Sequence, residues 1–526
     1  MRFVMHNKWI FLLALLALAA CSQTVSPPSS DDESSTESSS EKKDSKKKAT
    51  SSSSESDELD EDCEGEPGKV WDGTTAKSFA CGSGTKLSPY VILTAEQLAY
   101  LSFVVGADEK KYQGKHFKLG ADITLNKGKV IDSKGGLVAD TTKLHKWTPI
   151  GNSNIVFDGT FDGDGRTISG MFINTTSTHN GLFGYSTGIV HDLTLENSWI
   201  QGGKFTGGIV GYSDGTVENL TNMASVSGDG ECVGGVLGNS GQKNYRYNSV
   251  IKNAVNKGIV VGNKNVGGIS GCATAVTVNG VENLAPIEGF GEVGGVFGGI
   301  GTSSNNDVKN LKNSGKVTGS HFIGGVMGSC GGIPSIYSNG TTSVYCVKNS
   351  QKCGQLQNAY NQGHVVGKSY VGGVLGMVCS GTISSFGNVS DVEGEYNTAG
   401  VVGSASYTTS SALYNRGNVY GSEYVGGIFG YNKEGVTSSA YSTGKVDGDS
   451  LVGLVIGYNY NATMADYYYL KQGKQEPFGL NDGGGAATPK TANDMKSEDF
   501  AELLGEEFVY DSDLNGEYPI LKWEEE

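Results

Sequence analysis

Along most of the chain, isolated branched apolar residues alternate with polar ones. Val226, Val260, Ile287, Val317, Val365, Val392, Val419 and Val446 each stand two residues before a glycine. Helical spacing is missing from this region, so the pattern predicts short β-strands separated by turns. A second apolar pattern, Gly-X-X-Gly with Leu454 in place of the first glycine in the last copy, ends at Gly184, Gly211, Gly238, Gly271, Gly298, Gly328, Gly376, Gly403, Gly430 and Gly457, and six of its nine steps are 27 residues. A third marker follows each glycine strand at a turn, as Asn219, Asn253, Asn283, Asn310 and Asn358, with Asp192, Ser385, Ala412 and Ser439 in the same phase. A unit of this length cannot bury its own apolar face, and stacking such units makes one continuous core. The expected fold is all-β, a right-handed parallel β-helix of about ten coils with about three strands in each. Asparagines at equivalent turns are expected to form an amide ladder from coil to coil.

Helical spacing appears only near the ends. Thr94 to Val105 opens on a capping residue, and Thr491 to Gly505 places Met495, Phe500 and Leu503-Leu504 on one side. Both are expected to close an open end of the solenoid, where unpaired strand edges would otherwise invite pairing with another chain. Tyr518 to Trp523 reads as a last strand over the second cap, and Tyr467-Tyr468-Tyr469 as core packing beside it.

Composition agrees with this picture: 80 glycines in 526 residues supply the tight corners that a coil needs. Asn180-Gly181-Leu182-Phe183-Gly184-Tyr185 and its repeats resemble the GLUG repeat. Trp147-Thr148-Pro149-Ile150-Gly151 and the stretch from Phe157 to Gly165 are similar to the segment that leads into such repeats. The resemblance covers residues 88 to 523. It implies a bacterial cell-surface or secreted β-helix of the kind attached to adhesin-like proteins and, in some members, to a protease. It brings no common catalytic residue.

The first residues predict where the protein resides. Arg2 and Lys8 precede an apolar run from Trp9 to Leu18, followed by Leu18-Ala19-Ala20-Cys21, which fits a secretory signal ending in a lipobox. Acylated Cys21 would make membrane lipid a partner and place the chain as an outer-membrane lipoprotein at the cell surface. Residues 22 to 67 are Ser, Asp, Glu and Lys with almost nothing apolar, the composition of a flexible tether. The expected organisation is therefore a signal over 1–20, a lipidated tether over 21–67, an N-terminal cap and lead-in coils over 68–180, repeats over 181–460, and a C-terminal cap over 461–526. A formal charge of −16 speaks against nucleic acid as a partner. A monomer is expected.

The spacing between markers places large insertions at one corner of the coil, over 239–252, 272–282, 299–309 and 329–357. Stacking in register would make these loops neighbours, and they carry Lys243, Tyr245, Arg246, Tyr247, Tyr337, Tyr345 and Lys348, a mixture suited to polysaccharide or to a surface protein. Neutral insertion at a tolerant corner is the plainer reading. Eight cysteines remain beyond Cys21. Cys63 is expected to pair with Cys81, and pairing among Cys330, Cys346, Cys353 and Cys379 would staple the longest loop, whereas Cys232 and Cys272 are out of phase and read as unpaired. Asp158, Asp162 and Asp164 offer oxygen ligands of the kind that Ca²⁺ takes, although a glycine-rich hairpin corner is the better reading of them; no other metal site and no cofactor are expected.

Chemical motifs mostly dissolve against the repeat. Gly184 to Gly188 and Gly211 to Gly215 match a nucleophile elbow, yet stand one period apart without the strand-to-helix context that an elbow needs. The reading that results is a non-catalytic surface binding or adhesion protein. The alternative is a polysaccharide lyase or glycoside hydrolase on the same scaffold, for which no convergent acid and base can be assembled from the strand positions.

Overall fold

The computed structural model describes residues 63–241, 248–337, 341–350 and 352–525. The proposed signal, Cys21 and the tether up to residue 62 lie outside the described residues, as do Lys243, Tyr245, Arg246 and Tyr247. The described residues form one compact unit. It is a parallel β-solenoid of about fourteen turns. The difference from the expected ten has a simple cause: the turns carrying Tyr90–Ile92, His116–Leu119, Thr160–Ser169 and Ala487–Lys490 lack the Gly-X-X-Gly strand, so the glycine pattern does not count them.

Each regular coil has four β-segments rather than three, as in Val419–Tyr420, Glu423–Gly426, Phe429–Lys433 and Val436–Ser442. The extra corner falls inside the glycine strand. At Gly324-Gly325 and its equivalents the chain turns between one wall and the next, and the second glycine of the pair lies directly against an asparagine of the asparagine-bearing sheet, a place that Ser442 takes beside Gly427. A Cβ on Gly325 would stand 2.3 Å from Asn361 Cγ and 2.0 Å from the Gly373 carbonyl oxygen.

That asparagine belongs to a fully buried ladder. Asn222, Asn256, Asn283, Asn313, Asn361, Asn388 and Asn415 are all 0 % exposed, and each donates from its amide to the next at 2.8–2.9 Å. The turn asparagines read from the sequence form a separate, outer ladder three residues earlier. Asn219, Asn253, Asn310 and Asn358 occupy a left-handed corner, with Gly280 in that phase instead of Asn283. Asn283 therefore belongs to the inner ladder. With Gly280 in phase, the expected insertion at 272–282 disappears: Ser270–Thr274 and Val276–Asn283 are strands joined at Ala275 alone.

Inside, the side chains of each wall stack on their equivalents in the next coil. Val226, Val260, Ile287, Val317, Val365, Val392, Val419 and Val446 pair in strict parallel register, and the core runs from Trp71 to Tyr469 as one cluster. A helix over Ala95–Gly106, α1, opens on the expected capping residue Thr94, which forms a capping box with Gln97, and adds Leu98, Leu101 and Val104 to that core.

The C-terminal segment departs from the expectation. The predicted single helix is two short ones, α2 (Ala492–Met495) and α3 (Glu498–Leu504), and they do not sit across the end of the solenoid. They and the hairpin Phe508–Val509/Ile520–Leu521 lie along the outer face of the asparagine-bearing sheet, packed on Tyr414, Tyr441 and Tyr468. Tyr360, Gly387, Tyr414, Tyr441 and Tyr468 occupy equivalent outward positions of successive coils. A stripe of aromatic rings in water would be unfavourable, and the tail removes it from solvent. Tyr414 and Tyr441 stack at 5.3 Å, and Arg416 holds the tail by donating to Asn515 while its guanidinium lies over Tyr518. Tyr467 points inward to the main core and Tyr468 outward to the tail.

Glu524 is enclosed in this contact and accepts a hydrogen bond from Tyr414 Oη at 2.8 Å, while its Oε1 is buried without a partner. Burial pushes its carboxyl from an ordinary 4.5 up to about 7. The folded chain thus holds this proton more tightly than the unfolded chain does. Its contribution to tail docking is complete below about pH 4.5, falls as pH rises and is lost above about 7, a difference of about 3 kcal/mol. Melting curves at pH 5 and pH 8 should differ in that direction, and Glu524→Gln should narrow the difference by stabilising the chain at pH 8. An unchanged gap in the variant would remove Glu524 as its source.

Candidate functional site

The insertions that remain after the correction lie at one corner and touch one another. Asn248 Nδ2 donates to the Asn305 carbonyl at 2.7 Å, and Ser303 N–H donates to the Lys352 carbonyl at 2.9 Å. The longest insertion folds into a hairpin, Ile333–Ile336 with Thr342–Tyr345, that lies as a strap across the outer face of the glycine-strand sheet. Ile336, Val344 and Cys346 of the strap pack on Phe322, Met377 and Cys379. Two disulfides hold its ends, Cys330–Cys353 and Cys346–Cys379. Cys63 is joined to Cys81.

Cys232 and Cys272, read as unpaired, are in fact bonded to each other. Cys232 occupies the left-handed corner at the edge of the glycine-strand sheet, and Cys272 is an outward residue of the next coil's strand in that sheet. Their rows are adjacent, so residues in different phases meet.

Beside the strap an open groove of about 360 Å³ runs over the last coils. Its floor comes from the outward row Met377, Ser404, Tyr431 and Tyr458, which are register partners on successive strands. Its flanks come from the corner residues Tyr370, Asn397 and Tyr424, all at positive φ, and from Tyr407 and Lys433. The left-handed backbone at these corners turns their side chains out beside the floor. Tyr424, Tyr431 and Tyr458 form a mutual cluster with ring centroids 5.5–6.2 Å apart, and Lys433 Nζ lies 5.5 Å from the Tyr407 ring. Burial raises the phenols of Tyr431 and Tyr424, and the hydrogen bond to Asp482 pushes Tyr458 up to about 12. All three remain neutral near pH 7. The groove thus offers aromatic faces, amide and hydroxyl groups and one ammonium, which is what a ligand with both C–H faces and hydroxyl edges requires.

Of the loop residues singled out in the sequence, Tyr337, Tyr345 and Lys348 are exposed, and none lines the groove. Strand alternation is the reason: Val344 and Cys346 face the sheet, so Tyr345 between them faces away. The groove tyrosines carried a readable signal, since Tyr431 and Tyr458 stand one period apart at an outward position, as do Tyr185 and Tyr212 at the other end of the same row.

The expected Ca²⁺ set is dispersed. Asp158 accepts from Gly114 N–H at 2.9 Å, and Asp164 pairs with Lys118 at 3.2 Å. Asp162 instead approaches His191 and Asp192. Ser186 and Ser213 of the elbow-like motifs are buried and face inward, each accepting from the glycine that follows. Glu292, whose carboxyl is raised by burial, is held by Ser329 Oγ at 2.7 Å and Lys264, and Glu231 is paired with Lys204 and Lys264; neither glutamate lines the groove. Among the described residues no helix is long and apolar enough to cross a membrane.

No family model matches the chain. A segment of 125 residues, 23 % of the chain, is 36 % identical to a provisionally named Gly-rich membrane protein of Evansella cellulosilytica and covers 12 % of that protein. A segment of 142 residues is 30 % identical to halomucin of Haloquadratum walsbyi, covering 26 % of this chain and 1 % of halomucin. The chain therefore spans only a small part of the curated relatives it matches. Among solved structures, a provisionally named immunoglobulin A1 protease of Bacteroides ovatus aligns over 85 % of this chain and 95 % of its own, at 15 % identity and a TM-score of 0.29.

Proposed function

We propose that this chain is a surface-tethered, non-catalytic glycan-binding protein of the GLUG-repeat type, in which the strap-flanked tyrosine groove takes a polysaccharide chain. The observation that carries the reading is the row of half-buried rings, Tyr424, Tyr431 and Tyr458 with Tyr407 nearby, set beside Asn397, Ser404 and Lys433 in one open groove. Successive floor residues repeat at the inter-strand spacing of about 4.8 Å, close to the length of one sugar residue, so an extended chain lying along the solenoid can meet one floor residue per coil, and a ring at both Tyr431 and Tyr458. Register partners on parallel strands give that surface the rigidity that binding sites need. On this reading Cys21 carries the lipid, residues 22 to 67 hold the solenoid off the membrane, the winding is right-handed and α1 closes the first coil. The name of the Evansella cellulosilytica relative is in keeping with a membrane association.

The test is incubation of the full chain with a panel of envelope and plant polysaccharides, scoring protein retained and sugar released. Retention without released sugar is expected. Released sugar would overturn the non-catalytic reading, and absence of retention on every member would overturn the glycan.

A further inference from the structure

Away from the groove, three metal-ligating side chains meet on the outer face of the asparagine-bearing sheet. Asp162 and His191 are register partners on neighbouring strands, and Asp192 follows His191 at a left-handed corner. His191 Nδ1 lies 2.6 Å from Asp192 Oδ2 and 3.6 Å from Asp162 Oδ1, and one ligand atom from each of the three residues lies within 4.8 Å of the others. All three are partly exposed, at 32 %, 26 % and 39 % of the side chain for Asp162, His191 and Asp192.

We propose that Asp162, His191 and Asp192 bind one divalent first-row transition-metal ion, with zinc the reference ion. One ligand atom from each of three residues converges here, two of them carboxylate oxygens, an arrangement that attracts a cation. A proton on Nδ1 does this incompletely: it bonds Asp192 but leaves Asp162 beyond hydrogen-bond range. A metal ion satisfies all three at once. One imidazole with two carboxylates favours zinc or a neighbouring ion over Ca²⁺, which prefers six or more oxygens. Three protein ligands in a partly exposed site leave a coordination position open to solvent.

Outer partners hold both carboxylates. Asn219 Nδ2 donates at 2.8 Å to Asp192 Oδ1, the oxygen turned away from His191, and Asp164 N–H donates at 2.8 Å to Asp162 Oδ1, the same oxygen that approaches His191. Asp192 is also the terminal acceptor of the outer ladder, receiving Asn219, which in turn receives Asn253. The ladder requires only an acceptor at that position, which an asparagine would provide. The negative charge of Asp192 is therefore additional to its structural role and faces His191.

Isothermal titration of the full chain with Zn²⁺ at pH 7, with Ca²⁺ as the comparison, tests the assignment. One equivalent of zinc is expected, with calcium weaker. Asp192→Asn keeps the ladder acceptor and should keep the melting curve, yet it and His191→Gln should each weaken zinc binding by at least the roughly 10- to 100-fold that loss of an outer partner alone costs. The Co²⁺-loaded chain should show visible absorption that both variants lose. Absence of zinc binding by the parent chain, or binding unchanged in both folded variants, would overturn the site.

Discussion

Gly325→Ala should prevent the central coils from closing. The added methyl would stand 2.0 Å from the Gly373 carbonyl oxygen and 2.3 Å from Asn361 Cγ, inside both contact limits. The obstacle is proximity, since the backbone at this corner is not left-handed. Neither neighbour can yield: the carbonyl belongs to the next coil's backbone, and Asn361 is fixed in the buried ladder by Asn313, Asn388 and Gly363. Ordinary overpacking costs about 1–3 kcal/mol when side chains can shift, and a clash with backbone should exceed it. Because coils depend on their neighbours, the loss spreads beyond the site. Loss of the cooperative melting transition is the expected result, with Gly484→Ala as the comparison, because a Cβ there meets only Thr463 Cγ2 at 3.6 Å. Equal melting of the two variants would show that the glycine–asparagine contact does not set the corner.

Tyr441→Ala should release the C-terminal tail from the wall while leaving the solenoid core intact. Tyr441 is 0 % exposed, stacks on Tyr414, meets Phe500 and Phe508 edge-on or tilted, and accepts from Asn515 Nδ2 at 3.2 Å while its hydroxyl donates to the Pro519 carbonyl. Removing a ring so placed costs about 3–5 kcal/mol. The core does not share this loss, because Ala440 and not Tyr441 faces inward. Limited proteolysis should then cleave within residues 491–525 of the variant and spare the parent chain. Continued protection of the tail would mean that α2, α3 and the hairpin are held by contacts other than the tyrosine stripe.

Much of this architecture was legible because a solenoid writes its register into the sequence. The valine row and the closing glycines fell on parallel ladders as read, and the insertions at 299–309 and 329–357 did gather at one corner. Misreading began where two rows of like residues run side by side. Asn283 lies three residues from the corner phase but has the same side chain as its corner neighbours, and counting it there produced a loop at 272–282 that is two strands. Cys232 and Cys272 failed for the same geometric reason, since rows on adjoining walls meet although their phases differ. The tail was readable as helix and strand, but its place depended on an outward stripe from Tyr360 to Tyr468 that resembles core packing when only one coil is considered. The groove was the least legible part. Its floor comes from single residues on successive coils, its flanks from corners where Asn397 and Tyr424 adopt left-handed backbone, and its wall from a hairpin whose exposed tyrosines drew attention away from the side that faces the sheet.

The most direct measurement of the groove assignment compares two paired variants on whichever polysaccharide retains the full chain. Tyr431→Ala/Tyr458→Ala removes two rings from the groove, and Tyr337→Ala/Tyr345→Ala removes the two exposed rings of the strap. At about 0.5–1.5 kcal/mol for each aromatic contact, loss of the groove pair should weaken binding roughly 5- to 150-fold, while loss of the strap pair should leave it unchanged. Binding that survives the groove pair and falls with the strap pair would contradict the groove and move the ligand to the outer side of the strap.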